Sequence, residues 1–162
     1  MIYILLRFYY LANRRSRKAT KFTFTELMIL LSKHKDSFCL ALCRYLDEIH
    51  ISQKTLARLT GIAPSTLSRY LSGKRKMQYD CLCAVCIALR LHPCRQRYLF
   101  SLLMYALPCY QDFRKADKNI IMAYLDGCAF NNRYTLTACN EQLKAIHAKP
   151  LTHLTSAKGD SV

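Results

Sequence analysis

Residues 51–76 read ISQKTLARLTGIAPSTLSRYLSGKRK. Ser52 is a suitable N-cap for a short helix over residues 53–60. Gly61 suits the position that follows a helix C-cap. A proline at the first position favours a second helix over residues 64–71, because its fixed φ angle already matches a helix. The stretch therefore predicts two short helices joined by a tight turn.

Apolar and small residues occupy the positions that hold two such helices together. The first helix needs a buried anchor and a small residue where the second helix crosses it. The turn needs a glycine and an apolar plug, and the second helix needs a buried inner face. These requirements are met, in order, by Leu56, Ala57, Gly61, Ile62, Leu67 and Leu71. The order is typical of a helix-turn-helix whose outward face carries Ser65, Thr66, Ser68 and Arg69.

These motifs resemble the phage-repressor family, also called Cro-type or XRE-type helix-turn-helix proteins. The match is close through residues 55–75, continues through 77–82 and 88–93, and covers about residues 37–107. The resemblance implies a lambda-repressor-like five-helix bundle whose second motif helix enters the major groove of duplex DNA. Ala63 is a departure, since the family usually has Ser or Thr as the cap of that helix.

The resemblance also implies roles for individual residues. Gln53 would cap the first motif helix near a phosphate, and the loop at residues 74–76 would hold the DNA backbone. The positions that would face bases are those of Pro64, Ser65, Thr66 and Arg69. Because Pro64 has no side-chain hydrogen-bonding group, base reading is expected to depend more on Ser65 and Arg69. The expected DNA-binding set is Gln53, Lys54, Pro64, Ser65, Thr66, Ser68, Arg69, Tyr70, Lys74, Arg75 and Lys76.

The distribution of charge favours a polyanionic partner. The formal net charge is +15 on 162 residues. Residues 1–25 contain six basic and no acidic residues, and residues 49–79 contain six more basic residues, again without an acid. A merely solvated surface mixes both signs, whereas binding to phosphates releases counterions and favours such unmixed segments.

Apolar residues recur at helical spacing along most of the chain, which predicts an all-α fold. The expected helices span residues 37–49, 53–60, 64–71, 78–91, 93–107, 112–126 and 135–149. Four expected segments follow. Residues 1–35 form a basic and apolar segment, residues 36–107 the DNA-binding domain, residues 108–150 a helical extension and residues 151–162 a flexible tail.

The extension is similar to helical extensions attached to some such regulators in Gram-positive bacteria and mobile elements. Apolar side chains before and within it have two possible uses, the protein's own core or a dimer face. These side chains are Tyr98, Leu102, Leu103, Tyr105, Ile121, Tyr124 and Leu125.

The N-terminal segment has three open interpretations. It is a DNA-contacting arm that reaches the minor groove, a membrane-surface segment, or an over-long reading of the gene with Met28 as the true start. A membrane span is not expected, because the apolar run of residues 1–12 is interrupted by Arg7 and a span needs about 20 residues.

Nine cysteines and five histidines raise the question of a metal or catalytic site. Cys81, Cys83 and Cys86 fall inside an expected helix with no glycine or proline knuckle to gather them around zinc. We interpret the thiols as free and mostly apolar in role, in a reducing cytoplasm. The histidines form no known ligand pattern and no nucleophile motif occurs, so neither an enzyme nor a cofactor is expected.

The sequence thus predicts a sequence-specific double-stranded DNA-binding protein, a transcriptional repressor that acts as a homodimer on a palindromic site. No small-molecule substrate is inferred. The alternative is an interaction adaptor, such as an antitoxin-like partner, that uses its C-terminal helices to bind another protein. Exposure of Arg69 on a positive face would favour DNA, whereas a dominant apolar surface patch would favour the adaptor.

Overall fold

The computed structural model describes residues 37–107 and 115–153, which belong to one compact unit of the chain. Within these two ranges every regular element is a helix, so the all-α prediction is confirmed there. The expectations for residues 1–35, including the three interpretations of the basic segment, lie outside the described residues. The helices are α1 (Phe38–Glu48), α2 (Gln53–Thr60), α3 (Pro64–Leu71), α4 (Tyr79–Ala88), α5 (Pro93–Leu102), α6 (Ala116–Gly127) and α7 (Leu136–Ala145).

Both helices of the central motif begin and end where the sequence predicts. The Ser52 hydroxyl accepts a hydrogen bond from the Thr55 backbone N–H at 3.1 Å, which caps α2. Gly61 follows α2 in the left-handed conformation, with φ of 67°, and its N–H donates to the Ala57 carbonyl. Only a residue without a Cβ adopts this geometry at little cost, so the tight turn depends on it.

Three other helices end earlier than the sequence predicts. The helices that were expected to end at residues 91, 107 and 149 end at Ala88, Leu102 and Ala145. The cause is one recurring turn, in which a non-glycine residue takes positive φ just after the helix and the next N–H bonds back to the last turn. It occurs at Arg90, Met104 and His147, and also after α1 at His50, with φ between 51° and 57°.

The start of α6 and the start of the tail also differ from expectation. The helix begins at Ala116, and Lys115 precedes it, although a helix from residue 112 was expected; residues 112–114 themselves lie outside the described ranges. The tail was expected to be flexible from Leu151. Leu151 and Thr152 are buried instead, because their backbone groups bond to the buried amide of Asn140.

Helix α4 is at the centre of the core. Its residues 82–87 are all buried, which is the pattern of a helix surrounded by protein on every side. It packs against α2 on one side and against α6 and α7 on the other. The side chains Ile121, Tyr124 and Leu125 are buried in this same unit, so the extension contributes to the core of the bundle.

Polar contacts tie the extension to the bundle as well. The Gln96 side-chain amide, which is 2% exposed, donates to the carbonyls of Leu91 and Leu125, both at 2.7 Å. The Arg90 guanidinium donates to the Cys128 carbonyl at 2.9 Å and to the Asn132 side chain. These contacts therefore join the helix-turn-helix bundle and the extension into one structure.

Candidate nucleic-acid interface

Helix α3 divides cleanly into an inner and an outer face. Leu67 and Tyr70 are buried, at 0% and 1% exposure, and they pack α3 against the rest of the bundle. Ser65, Ser68 and Arg69 are exposed along the opposite face, at the spacing of neighbours on a helix surface. The three side chains therefore form one hydrogen-bonding surface that faces outward. Thr66 lies at its edge, half-buried.

Tyr70 was expected to contact DNA, but the structure places it on the inner face of α3. Its ring is buried and its hydroxyl lies 3.9 Å from the Cys81 Sγ atom. The physical reason is register: Tyr70 is three residues beyond Leu67 and so shares the inner face. Leu71, which was expected to complete that face, is only half-buried.

No side chain caps the N-terminus of α3. Ala63 provides no side-chain cap, and Pro64, at the first helical position, has no N–H to donate. The Gln53 amide, at the start of α2, donates to the Pro64 carbonyl at 3.5 Å. Gln53 thus links the starts of the two helices, and both residues are exposed.

All six basic residues of the acid-free segment are exposed: Lys54, Arg58, Arg69, Lys74, Arg75 and Lys76. The two acids that border the segment are engaged with bases elsewhere. Glu48 pairs with Arg95 at 2.7 Å, and Asp80 lies 3.7 Å from the Lys149 ammonium. Within the described residues, the segment's positive charge is therefore not balanced by an ion pair. Arg58 was counted among these bases but left out of the expected binding set.

The α3–α4 loop, residues 72–78, carries three of these charges. Its first half is fixed from α3, because the Arg75 N–H donates to the Arg69 carbonyl at 3.1 Å and Gly73 takes a φ of 73°. The second half is fixed by Met77, whose side chain is fully buried, and by Tyr105, whose hydroxyl donates to the Met77 carbonyl at 2.9 Å. Sequence reasoning missed Tyr105 here, because no local pattern predicts a contact across 28 residues.

The match with known families falls on this region. Residues 44–93 match the helix-turn-helix family, from the middle of α1 to the first residue of α5. The chain carries a Cro/XRE-type helix-turn-helix domain. The family resemblance is therefore confirmed for this domain, and the match supports double-stranded DNA as its ligand. Comparison with curated proteins and with solved structures gave no match.

The helix-turn-helix domain is a binding domain and not a catalytic one. The match covers less than half of the chain, and α6 and α7 lie beyond it. In the described part of the chain, no helix is long and apolar enough to cross a membrane.

The cysteines inside the bundle are buried in apolar surroundings. Cys83, Cys86, Cys128 and Cys139 are all inaccessible to solvent. Burial raises the pKa of the Cys128 thiol to about 11 and that of Cys139 to about 12, and it also raises the pKa of Cys83 and Cys86. Among residues 37–107 and 115–153, no cluster of three metal-ligating side chains occurs.

These four thiols should be protected from modification in the folded protein. At pH 8 a thiol reagent should modify the exposed Cys94 quickly, while the four buried thiols react only when the bundle unfolds, because the thiolate is the reactive species. Mass spectrometry of the labelled peptides measures each site. Modification of Cys83 and Cys86 at the rate of Cys94 would contradict their burial, and equal labelling in denaturant is the control.

Proposed function

We propose that this protein is a transcriptional repressor that binds specific duplex DNA sequences, with α3 in the major groove. The observation that supports this most is the coincidence of two features on one surface. The exposed face of α3 offers hydrogen-bonding side chains, and exposed basic residues flank it along the chain, with no acidic residue between positions 49 and 79. Hydrogen-bonding side chains read the edges of DNA bases, and basic side chains neutralise phosphates.

The exposed residues divide into two roles. Ser65, Ser68 and Arg69 face the bases, with Pro64 and Thr66 beside them, and Arg69 is the one long donor on α3. An arginine in this position can pair with guanine through two hydrogen bonds. Gln53, Lys54 and residues 74–76 contact phosphates on either side. These roles are proposals that follow from exposure, chemistry and the family's docking geometry.

The protein is proposed to act as a homodimer on a palindromic operator. Helix-turn-helix proteins of this kind read two half-sites about one helical turn apart, and one α3 covers only a few base pairs. Residues 36–107 form the DNA-binding part, and residues 108–150 stabilise it through the contacts of Gln96 and Arg90.

The adaptor alternative is not favoured. Arg69 is exposed and lies in a segment with other exposed basic residues, as DNA binding requires. The large apolar side chains that are exposed among the described residues belong to four different segments of the chain, in or shortly after α1, α5, α6 and α7. They are Leu40, Ile49, Met104, Phe130 and Ile146.

Selection of bound duplexes from a random library tests the proposed function. We expect enrichment of one site composed of two related half-sites, with their centres about 10 base pairs apart. Recovery of random sequences after several rounds would contradict sequence-specific binding. Recovery of a single half-site would leave α3 as the reader but contradict the dimer.

Lys74 should contact a phosphate of the DNA and make no contribution to sequence preference. Lys74→Ala should weaken binding by a similar factor on every duplex and lower the salt dependence by about one phosphate contact. Titrations on the selected site and on scrambled duplexes measure both effects, with the exposed Lys118→Ala on α6 as the matched control. A loss of preference at one base pair would show that Lys74 reads a base.

A further inference from the structure

Tyr105 lies outside the family match, directly after α5, yet it contacts the loop that carries the densest group of basic residues. Its hydroxyl donates to the Met77 carbonyl at 2.9 Å. The Lys76 ammonium lies 4.5 Å from the centre of its ring. One side chain therefore contacts both the backbone and a basic side chain of the α3–α4 loop.

The position of Tyr105 is itself well defined. Met104 takes a φ of 56°, and the Tyr105 N–H then bonds back to the Phe100 carbonyl at 2.9 Å. The ring packs edge-on against Tyr79, with 5.7 Å between ring centres, and Tyr79 packs in the same way against Phe100. Contacts at the end of α5 and at the start of α4 therefore hold Tyr105 in addition to its contacts with the loop.

We infer that Tyr105 is a positioning residue for DNA binding, which holds the α3–α4 loop in the shape that meets the phosphate backbone. The inference rests on the proposed function, in which residues 74–76 contact phosphates. Residues 74–78 form no helix or strand, so few backbone bonds order them before DNA arrives. A loop that is already ordered loses less conformational freedom on binding, and affinity is higher for that reason.

The contact with Lys76 agrees with this role. An ammonium over the face of a tyrosine ring is attracted to it without losing its charge. Lys76 remains exposed, so its N–H groups stay available to an oxygen of the backbone. The ring therefore orients the charge, whereas an acid at the same place would neutralise it.

Tyr105→Phe tests the hydroxyl while it keeps the ring. Affinity for the selected duplex should fall by about two- to tenfold, the range expected for one neutral hydrogen bond. Base preference should stay unchanged, because the loop contacts phosphates. Tyr105→Leu, which also removes the ring from Lys76, should bind more weakly still. Tyr134→Phe removes a tyrosine hydroxyl from the extension and is the matched control, with affinity expected to equal that of the wild type.

A double-mutant cycle with Lys76→Ala separates positioning from general stability. If Tyr105 acts through the loop, Tyr105→Phe should cost clearly less in the Lys76→Ala background than in the wild type. A purely structural role would lower the unfolding midpoint and give additive effects on affinity. Additive losses, or wild-type affinity in Tyr105→Phe, would overturn the inference.

The same titrations distinguish failure of this inference from failure of the proposed function. If the wild type does not bind duplex DNA, both fail. If the wild type binds and Lys74→Ala weakens all duplexes alike, but Tyr105→Phe changes nothing, only the role of Tyr105 is wrong. Circular dichroism of each variant confirms that the comparison is made between folded proteins.

Discussion

Raising the salt concentration from 50 to 200 mM should weaken the binding of one protomer to its half-site by about 10³-fold, and the binding of a dimer to both half-sites by a larger factor. The reason is the release of counterions, since each neutralised phosphate contributes a slope of about −0.9 to the dependence of log affinity on log salt. All six basic residues between Ile49 and Tyr79 are exposed, and no acid lies among them. Because Arg69 is assigned to a base, we expect about five phosphate contacts per protomer from the others.

Removing the positive charges of the α3–α4 loop tests whether they cause this salt dependence. Replacing Lys74, Arg75 and Lys76 together by glutamine should make the slope less steep by about 0.9 for each lost contact. Lys118→Gln, on α6, should leave it unchanged. An affinity that hardly changes between 50 and 200 mM salt would contradict phosphate binding by this surface. Unfolding midpoints at both salt concentrations show that the protein stays folded.

Gln96→Met should lower the free energy of unfolding by about 2–5 kcal/mol, because two buried carbonyls would lose their donor. Methionine has nearly the same length as glutamine but cannot donate a hydrogen bond. The Gln96 amide now bonds to Leu91, at the turn after α4, and to Leu125 near the end of α6. The loss should therefore affect the bundle and the extension together.

Urea denaturation measures this effect. A single transition that shifts as a whole is expected, since both parts share one core. Gln142→Met, at an exposed position on α7, should change the free energy by less than about 0.5 kcal/mol. A cost below about 1 kcal/mol for Gln96→Met, or separate transitions for the two parts, would contradict the shared structure.

The helix-turn-helix was predictable from the sequence because its determinants are local. Ser52 and Gly61 fix the ends of α2, and the proline at position 64 fixes the start of α3, through bonds within a few residues. The bounds of both helices follow from these positions. The order of apolar anchors also identified the family, without any knowledge of distant contacts.

Other helix ends were not predictable, because no glycine marks them. Arg90, Met104 and His147 adopt the left-handed conformation that glycine favours, at a cost of roughly 1–2 kcal/mol each. Contacts made elsewhere offset this cost, such as the bonds of the Arg90 guanidinium to Cys128 and Asn132. Such contacts join residues about 40 positions apart and leave no local pattern in the sequence.

The exposure of most expected site residues was predictable, whereas the contacts of two tyrosines were not, for one shared reason. Tyr70 was expected to face DNA but is buried, and Tyr105 packs against the core, one of its two expected uses, but also contacts the α3–α4 loop. Both are tyrosines, whose rings suit a core while their hydroxyls suit a polar contact. Residue type alone does not decide between these uses, whereas the register of α3 and the turn after α5 do.

Whether α3 reads the sequence of DNA depends above all on Arg69. The measurement is a titration of the selected operator and of all its single base-pair variants, with the wild type, Arg69→Ala and Arg69→Lys. For the wild type we expect a discrimination of about 1–3 kcal/mol at the base pair that Arg69 contacts in each half-site. Arg69→Ala should abolish the preference at that base pair alone, and Arg69→Lys should restore only part of it, because lysine lacks the planar fork. A uniform loss of affinity across every variant would contradict base reading by α3, since Arg69 would then contact only the backbone.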